Sequence, residues 1–396
     1  MDYKKTIKSE VNKMFPLLVD VRRHLHRNPE LSFKEKMTSA YIQSKLDEHG
    51  ISYKAGYCKY GIVAETGKKK SKKMVYLRGD MDALPIKETN AHDYVSQNEG
   101  IMHACGHDVH TTCVLGAAII LKKMEDKLPG TVKIIFQPGE EKLPGGASIM
   151  IKEGAVKKSP GSVIYGQHVH PPLETGKVGF HAGEYMASAD ELYIEIEGKG
   201  GHAALPQDCV DTILAASAVV QALHNIVSRD TNPLIPSVLS IGKMNSVGGA
   251  TNVIPDKVML EGTMRTMDED NRFKMHDAIR RVVKKTAESY GASSKVKIKI
   301  GYPSLYNNPD LVEESMMYAR EFLGKNNVVD LPKRMTAEDF SYYSQMMPAC
   351  FFRLGTRNEK KGITAPVHTS KFDIDEKALK TGVGLMAYLA VKKLAK

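Results

Sequence analysis

The chain is poor in cysteine and has no long apolar run, and each shortage excludes a class of protein. Five cysteines among 396 residues, odd in number and widely spaced, do not make a disulfide framework and point to a reducing compartment. The longest apolar stretch, Val114 to Leu121, contains Gly116 and is far too short to cross a bilayer. Met1-Asp2-Tyr3-Lys4-Lys5 leads into an amphipathic pattern rather than the apolar centre of a signal peptide. A cytoplasmic protein with no membrane partner is expected. Repeats and low-complexity tracts are also missing. The formal net charge is +10, yet aromatic residues are not interleaved with the lysines and no nucleic-acid module is present, so no nucleic-acid partner is expected. The one basic run, Lys68-Lys69-Lys70-Ser71-Lys72-Lys73, precedes an apolar strand pattern and reads as a solvated hairpin tip.

What remains is an ordinary globular composition, 42% hydrophobic and 26% charged, long enough for two domains. Residues 6–27 and 33–49 read as amphipathic helices divided by Asn28-Pro29. Short β-rich runs at 74–77, 131–137, 162–166 and 350–354 then alternate with helical stretches at 109–124, 310–323 and 375–395. That alternation predicts an α/β fold with an open, doubly wound sheet. Asp80 and Asp82 follow the first run, Glu140 and Glu141 the second, and His168 the third; His368 lies in the loop after the fourth. Sites in such sheets form at the carboxyl ends of strands, so these side chains are expected to converge. From about Ser188 the pattern becomes strand 191–197, helix 211–228, strand 237–244, strand 257–266, helix 269–290 and strand 295–300. This βαββαβ order is the ferredoxin-like unit. It reads as a domain of residues 187–301 inserted between catalytic parts 1–186 and 302–396.

His103-Ala104-Cys105-Gly106-His107-Asp108 packs sulfur, imidazole and carboxylate into six residues. If the backbone is extended there, Cys105 and His107 point the same way and can reach one ion. Thiolate and imidazole suit zinc far better than magnesium or calcium. In an extended segment Glu140 and Glu141 would face opposite ways, one towards metal and one towards water; the residues alone do not say which. His49, His92, His181, His224 and His276 read as ordinary structural histidines. His103, His110 and His170 neighbour ligand candidates and could orient them. Cys58, Cys113, Cys209 and Cys350 read as plain core or surface thiols. Gly198 to Gly201 lacks the ending of a P-loop and the spacing of a dinucleotide fingerprint, so its glycines serve to turn the backbone and present His202.

Six ordered motifs carry a resemblance: His103 to Asp108, Gln137-Pro138-Gly139-Glu140-Glu141, Gly166-Gln167-His168-Val169, Gly198 to Ala203, Asn252-Val253-Ile254-Pro255-Asp256 and Glu338-Asp339-Phe340. Together they resemble the metal-dependent aminoacylase and carboxypeptidase family, in its N-acyl-amino-acid amidohydrolase branch. The resemblance implies five metal ligands, Cys105, His107, Glu141, His168 and His368, around two divalent ions per subunit. Zinc is the first choice, with manganese, cobalt or nickel as alternatives. It implies Glu140 as the base, His202 as a donor to the developing oxyanion, and Asn252 and Arg265 as holders of the substrate carboxylate. Asp82 would orient a ligand or bridge through hydrogen bonds. Asp80 stands where many relatives carry a histidine and is assigned no ligand role, and Lys142-Leu143-Pro144 departs from a common glycine-rich continuation. The implied activity is hydrolysis of N-acyl amino acids or short peptide-like substrates. The alternatives are a metallo-exopeptidase on the same site and a metal-binding protein without catalysis. The inserted domain is implied to act as lid and homodimer surface.

Overall fold

The computed structural model describes residues 2–68, 71 and 73–396 and divides into two compact units. The first takes in the chain up to Gly183 together with Tyr306–Pro332 and Asp339–Lys396. Its eight strands form one mixed sheet. In spatial order they are Ser52–Tyr57, Gly61–Gly67, Thr131–Gln137, Met74–Asp80, Val163–Glu174, Ala349–Arg357, Val178–Phe180 and Val328–Asp330. The four central strands run parallel. Antiparallel pairing joins Ser52–Tyr57 to Gly61–Gly67, Gly61–Gly67 to Thr131–Gln137, and Ala349–Arg357 to Val178–Phe180. Val132, Ile134, Ile135 and Phe136 are wholly buried, as the centre of a covered sheet requires, which is why that stretch reads as a continuous apolar run. Helices Tyr3–Arg27, His107–Lys123 and Ala378–Ala395 pack on one another, and the last two lie against Met74–Asp80. No helix among the described residues is long and apolar enough to cross a membrane.

Three expectations change. The two strands that flank the lysine run do not pair as a hairpin, because Thr131–Gln137 lies between Gly61–Gly67 and Met74–Asp80 in the sheet. Lys68 and Lys73 are exposed, while Lys69, Lys70 and Lys72 lie outside the described residues. The strand beginning at Val163 runs on to Glu174, so His168 sits within it, opposite Arg353, and not beyond its end. The sheet also carries antiparallel margins that the alternation of helix and strand does not show.

The second unit, Glu184–Leu305 with Lys333–Glu338, holds a four-stranded antiparallel sheet. Its order is Ser237–Val247, Lys257–Thr266, Asp190–Glu197, Ser293–Ile300. Buried and half-buried residues alternate along Asp190–Glu197, the signature of a sheet covered on one face. Helices Thr212–Asn225 and Glu269–Ser289 join that core through Ala216, Val219, Ile279 and Val283. Asp211 and Asp268 start these helices by accepting from Leu214 N at 3.0 Å and Asn271 N at 2.6 Å. The first helix ends earlier than the sequence suggests, passing into a π turn at Ile226–Asp230. The returning segment joins through backbone bonds, Arg334 N donating to Tyr185 O and Ala187 N to Arg334 O.

Candidate metal centre

The Cys105–His107 segment is not extended. Gly106 adopts a left-handed φ of 81°, and a Cβ there would lie 2.6 Å from the Val169 side chain, so only glycine fits. The turn ends at once in the helix His107–Lys123, whose first residue is the candidate ligand. The turn nevertheless delivers both side chains inward. Cys105 Sγ lies 3.3 Å from His168 Nε2 and 3.3 Å from His368 Nε2. His368 is itself left-handed, at φ 61°, and its N–H donates to Ala104 O at 2.8 Å, which pins its loop onto the cysteine turn.

Glu140 and Glu141 sit in a bend after the strand Thr131–Gln137 rather than in extended chain. Their carboxylates do not diverge. Glu140 Oε2 lies 4.0 Å and Glu141 Oε1 3.9 Å from His107 Nε2. Glu141 Oε1 is also 3.3 Å from His368 Nε2. The bend is held from both sides: Asp82 Oδ2 accepts from Glu141 N at 2.9 Å, and Glu140 Oε1 accepts from Asp339 N at 3.3 Å. Asp82 therefore does two jobs, because its Oδ1 also meets His107 Nδ1 at 3.1 Å. A carboxylate on Nδ1 leaves the Nε2 lone pair for an ion. His168 reaches the same state by donating Nδ1–H to Val169 O at 2.8 Å.

Two triads emerge, Cys105/His107/His168 and Cys105/Glu141/His368, each with its ligand atoms within 4.8 Å of one another. They share Cys105. His107 Nε2 and Glu141 Oε1 are buried and have no hydrogen-bond partner among the described residues. Orphaned polar atoms of this kind are costly unless an ion takes them up. The charge balance agrees. Burial works against the His107 imidazolium, but Asp80 and Asp82 outweigh it and lift the group to about 10. Burial, reinforced by Glu141 and Glu140, pushes the Cys105 thiol well above its ordinary range. Burial and the nearby Arg353 hold His168 neutral. A pocket rich in carboxylates that favours a proton on His107 is one that a divalent cation suits, so the residues fit a metal centre.

Asp80 takes no place in those two triads. It pairs with Arg78 and accepts from His110 Nδ1 at 2.7 Å, while His110 Nε2 accepts from Val169 N at 2.9 Å. His110 thus braces the backbone beside His168. His103 is buried with both ring nitrogens unpartnered among the described residues, and burial lowers it to about 4.

Several supporting residues give no sequence signal. Ser32 donates to Asp82 Oδ2 at 2.6 Å. Buried Arg78 joins Gln137 Oε1 at 3.0 Å and Asp339 Oδ1 at 2.6 Å, tying together strand ends and the Glu140 anchor. Glu35 Oε1 accepts from Gly139 N at 2.7 Å. Burial and Asp82 raise Glu35 to about 8.

The other expected site residues belong to the second unit. His202 is exposed in a two-residue strand paired with Val253-Ile254. Its Nδ1 accepts from Ala204 N at 3.1 Å, which puts the proton on Nε2 and makes that atom a donor. Asn252 O accepts from Ala203 N at 2.9 Å, and Arg265 is half-buried with Nη1 3.4 Å from Met335 O.

Residues 76–392 match the model of peptidase family M20/M25/M40. The chain belongs to that family. It is 38% identical to thermostable carboxypeptidase 2 of Saccharolobus solfataricus over 99% of both chains. It is 39% identical to the N-acetyl-L-cysteine deacetylase of Bacillus subtilis over 91% of this chain and 84% of that one. The crystal structure of the Bacillus subtilis YXEP protein, a dinuclear metal-binding peptidase of the M20 family, superposes with a TM-score of 0.84. That pair is 32% identical over 97% and 99% of the two chains. This M20 chain is a metal-dependent amidohydrolase.

The shared cysteine makes a first prediction. Cys105→Ser should lose metal while Cys113→Ser, buried in the helix His107–Lys123 that follows the Cys105 turn, keeps it. Elemental analysis checks this; equal metal in wild type and Cys105→Ser would remove Cys105 from the ligand set.

Proposed function

We propose that the chain removes the acyl group from N-acylated amino acids or small peptide-like conjugates. The centre would hold two divalent ions, with Cys105, His107, Glu141, His168 and His368 as ligands. The observation that carries this is the pair of triads sharing Cys105, with His107 Nε2 and Glu141 Oε1 left for an ion. Such ions supply Lewis-acid polarisation of an amide carbonyl and acidify water. Zinc suits the sulfur and nitrogen donors best; manganese, cobalt and nickel are the alternatives.

The chain's own residues do the rest. Glu140, buried beside His107 and held by Asp339 N, takes the proton of the attacking water and returns it to the departing amine. Asp82 keeps His107 in its ligand tautomer and fixes Glu141. His202 offers Nε2–H to the oxyanion. Asn252 and Arg265 hold the substrate's carboxylate, Arg265 through its fork of donors.

The second unit serves as a ferredoxin-like lid and homodimer surface. Ile213 and Leu214 are exposed on its first helix, and Met244 and Val247 on its edge strand Ser237–Val247. All five cysteines are free, which suits the cytoplasm.

Exopeptidase action on the same machinery is the second reading, supported by the carboxypeptidase relative. A hydrolysis screen separates the two. Apo protein loaded in turn with Zn²⁺, Mn²⁺, Co²⁺ and Ni²⁺ should turn over N-acetyl and N-benzoyl amino acids with higher kcat/KM than dipeptides. The reverse order would make it an exopeptidase.

A further inference from the structure

The first unit contains another group of ligand-type side chains that the catalytic reading leaves unused. His26 lies wholly buried in the last turn of the helix Tyr3–Arg27. Glu88 and His92 come from the segment that follows Asp82 and Leu84. Glu88 Oε1 lies 3.2 Å from His26 Nε2 and 3.3 Å from His92 Nε2. The three ligand atoms fall within 4.8 Å of one another. A tetrahedral ion with bonds of ~2.0–2.1 Å places its ligand atoms ~3.3–3.4 Å apart, close to both measured edges.

Two details separate this group from a plain ion-pair cluster. His26 Nδ1 meets Asp108 Oδ2 at 2.8 Å, and Arg22 Nε holds the same oxygen at 2.9 Å. A carboxylate on the far nitrogen is the arrangement that aims a metal-binding imidazole. His92 supplies the second detail. Both its ring nitrogens are buried, yet neither makes a hydrogen bond among the described residues, although Nε2 is only 3.3 Å from Glu88 Oε1. Close approach without alignment is what two ligating atoms show when both face a third point. The ring is fixed there by stacking on Tyr94, centroids 3.6 Å apart at 15°. Glu88 is fixed too, with Oε2 accepting from Ser96 N at 2.7 Å and Oε1 from Asn90 Nδ2 at 3.0 Å. A further carboxylate oxygen, Asp373 Oδ2, lies 3.9 Å from His92 Nε2 and accepts from Tyr94 Oη at 2.8 Å.

We propose that His26, Glu88 and His92 bind an additional divalent cation of the zinc class, separate from the centre at Cys105. Two imidazoles and one carboxylate suit that class and would not satisfy calcium or magnesium. The ion would tie the end of the first helix to the 88–94 segment. Through Asp108 it would also brace the start of the helix that carries His107. Its role is therefore structural support, and sequence alone leaves His92 as an ordinary histidine.

The test counts metal and does not depend on turnover. Wild type, His92→Ala, His168→Ala and the double variant are stripped with chelator, reloaded with Zn²⁺, desalted and analysed for zinc per chain. His92→Ala should lower the count by one in both backgrounds, which separates this site from failure of the catalytic assignment. Equal counts with and without His92 would overturn the proposal. Anomalous scattering at the zinc edge from wild-type crystals gives a reading that needs no variant. A peak among His26, Glu88 and His92 supports the site, and its absence in zinc-loaded crystals rejects it.

Discussion

Glu140→Gln is expected to cut kcat by at least ~10²-fold while metal content and substrate binding stay near wild type. Glutamine keeps the shape of the side chain and one oxygen to accept from Asp339 N, so the bend after Gln137 should survive. What it lacks is a basic oxygen within reach of the water that attacks. Glu141 cannot stand in. Its Oε1 faces His368 and His107, and its own N–H is tied to Asp82. Single-turnover kinetics with metal analysis on the same sample checks the assignment. If kcat survives and metal is lost, the two glutamates have exchanged roles.

His202→Ala carries the second large effect. Losing one oxyanion donor costs ~10²–10³ in kcat, and here metal content should not change. The side chain is exposed, and among the described residues its one hydrogen bond is accepted at Nδ1 from Ala204 N, so removing it should disturb little structure. With Nδ1 accepting from the backbone, Nε2–H is the ring atom left to donate to a developing negative charge. Mixing His202→Ala with Glu140→Gln protomers then shows where it acts. If His202 serves the neighbouring subunit, mixed dimers regain activity that neither parent shows, because one of their two sites has both residues intact. No recovery, with subunit exchange confirmed by an independent label, would place His202 in its own subunit's site.

Much of the site is legible in the linear chain because its donor atoms come in short motifs. Cys105 and His107 are two apart, and Glu140 and Glu141 are neighbours. The local geometry was less legible. An extended reading of Cys105–His107 fails because Gly106 turns left-handed. The same reading of the glutamate pair fails because Pro138-Gly139 ends the strand first. Ser32, Glu35 and Arg78 had no signal at all. They belong to no motif, and each acts on a partner 50 or more residues away, at separations of 50, 104 and 59.

The sequence by itself determined the periodicity of helices and strands and the chemical types gathered near the strand ends. These are properties of neighbouring residues, which local sterics and solvent exposure set. Only the tertiary structure decided that Cys105 would stand between two histidines, one of them 263 residues away. It also decided that Asp82 would set the tautomer of His107, and that His92 would join His26 and Glu88. Strand order and parallel register bring such groups together, and hydrophobic packing along the whole chain selects that order; no local pattern encodes it.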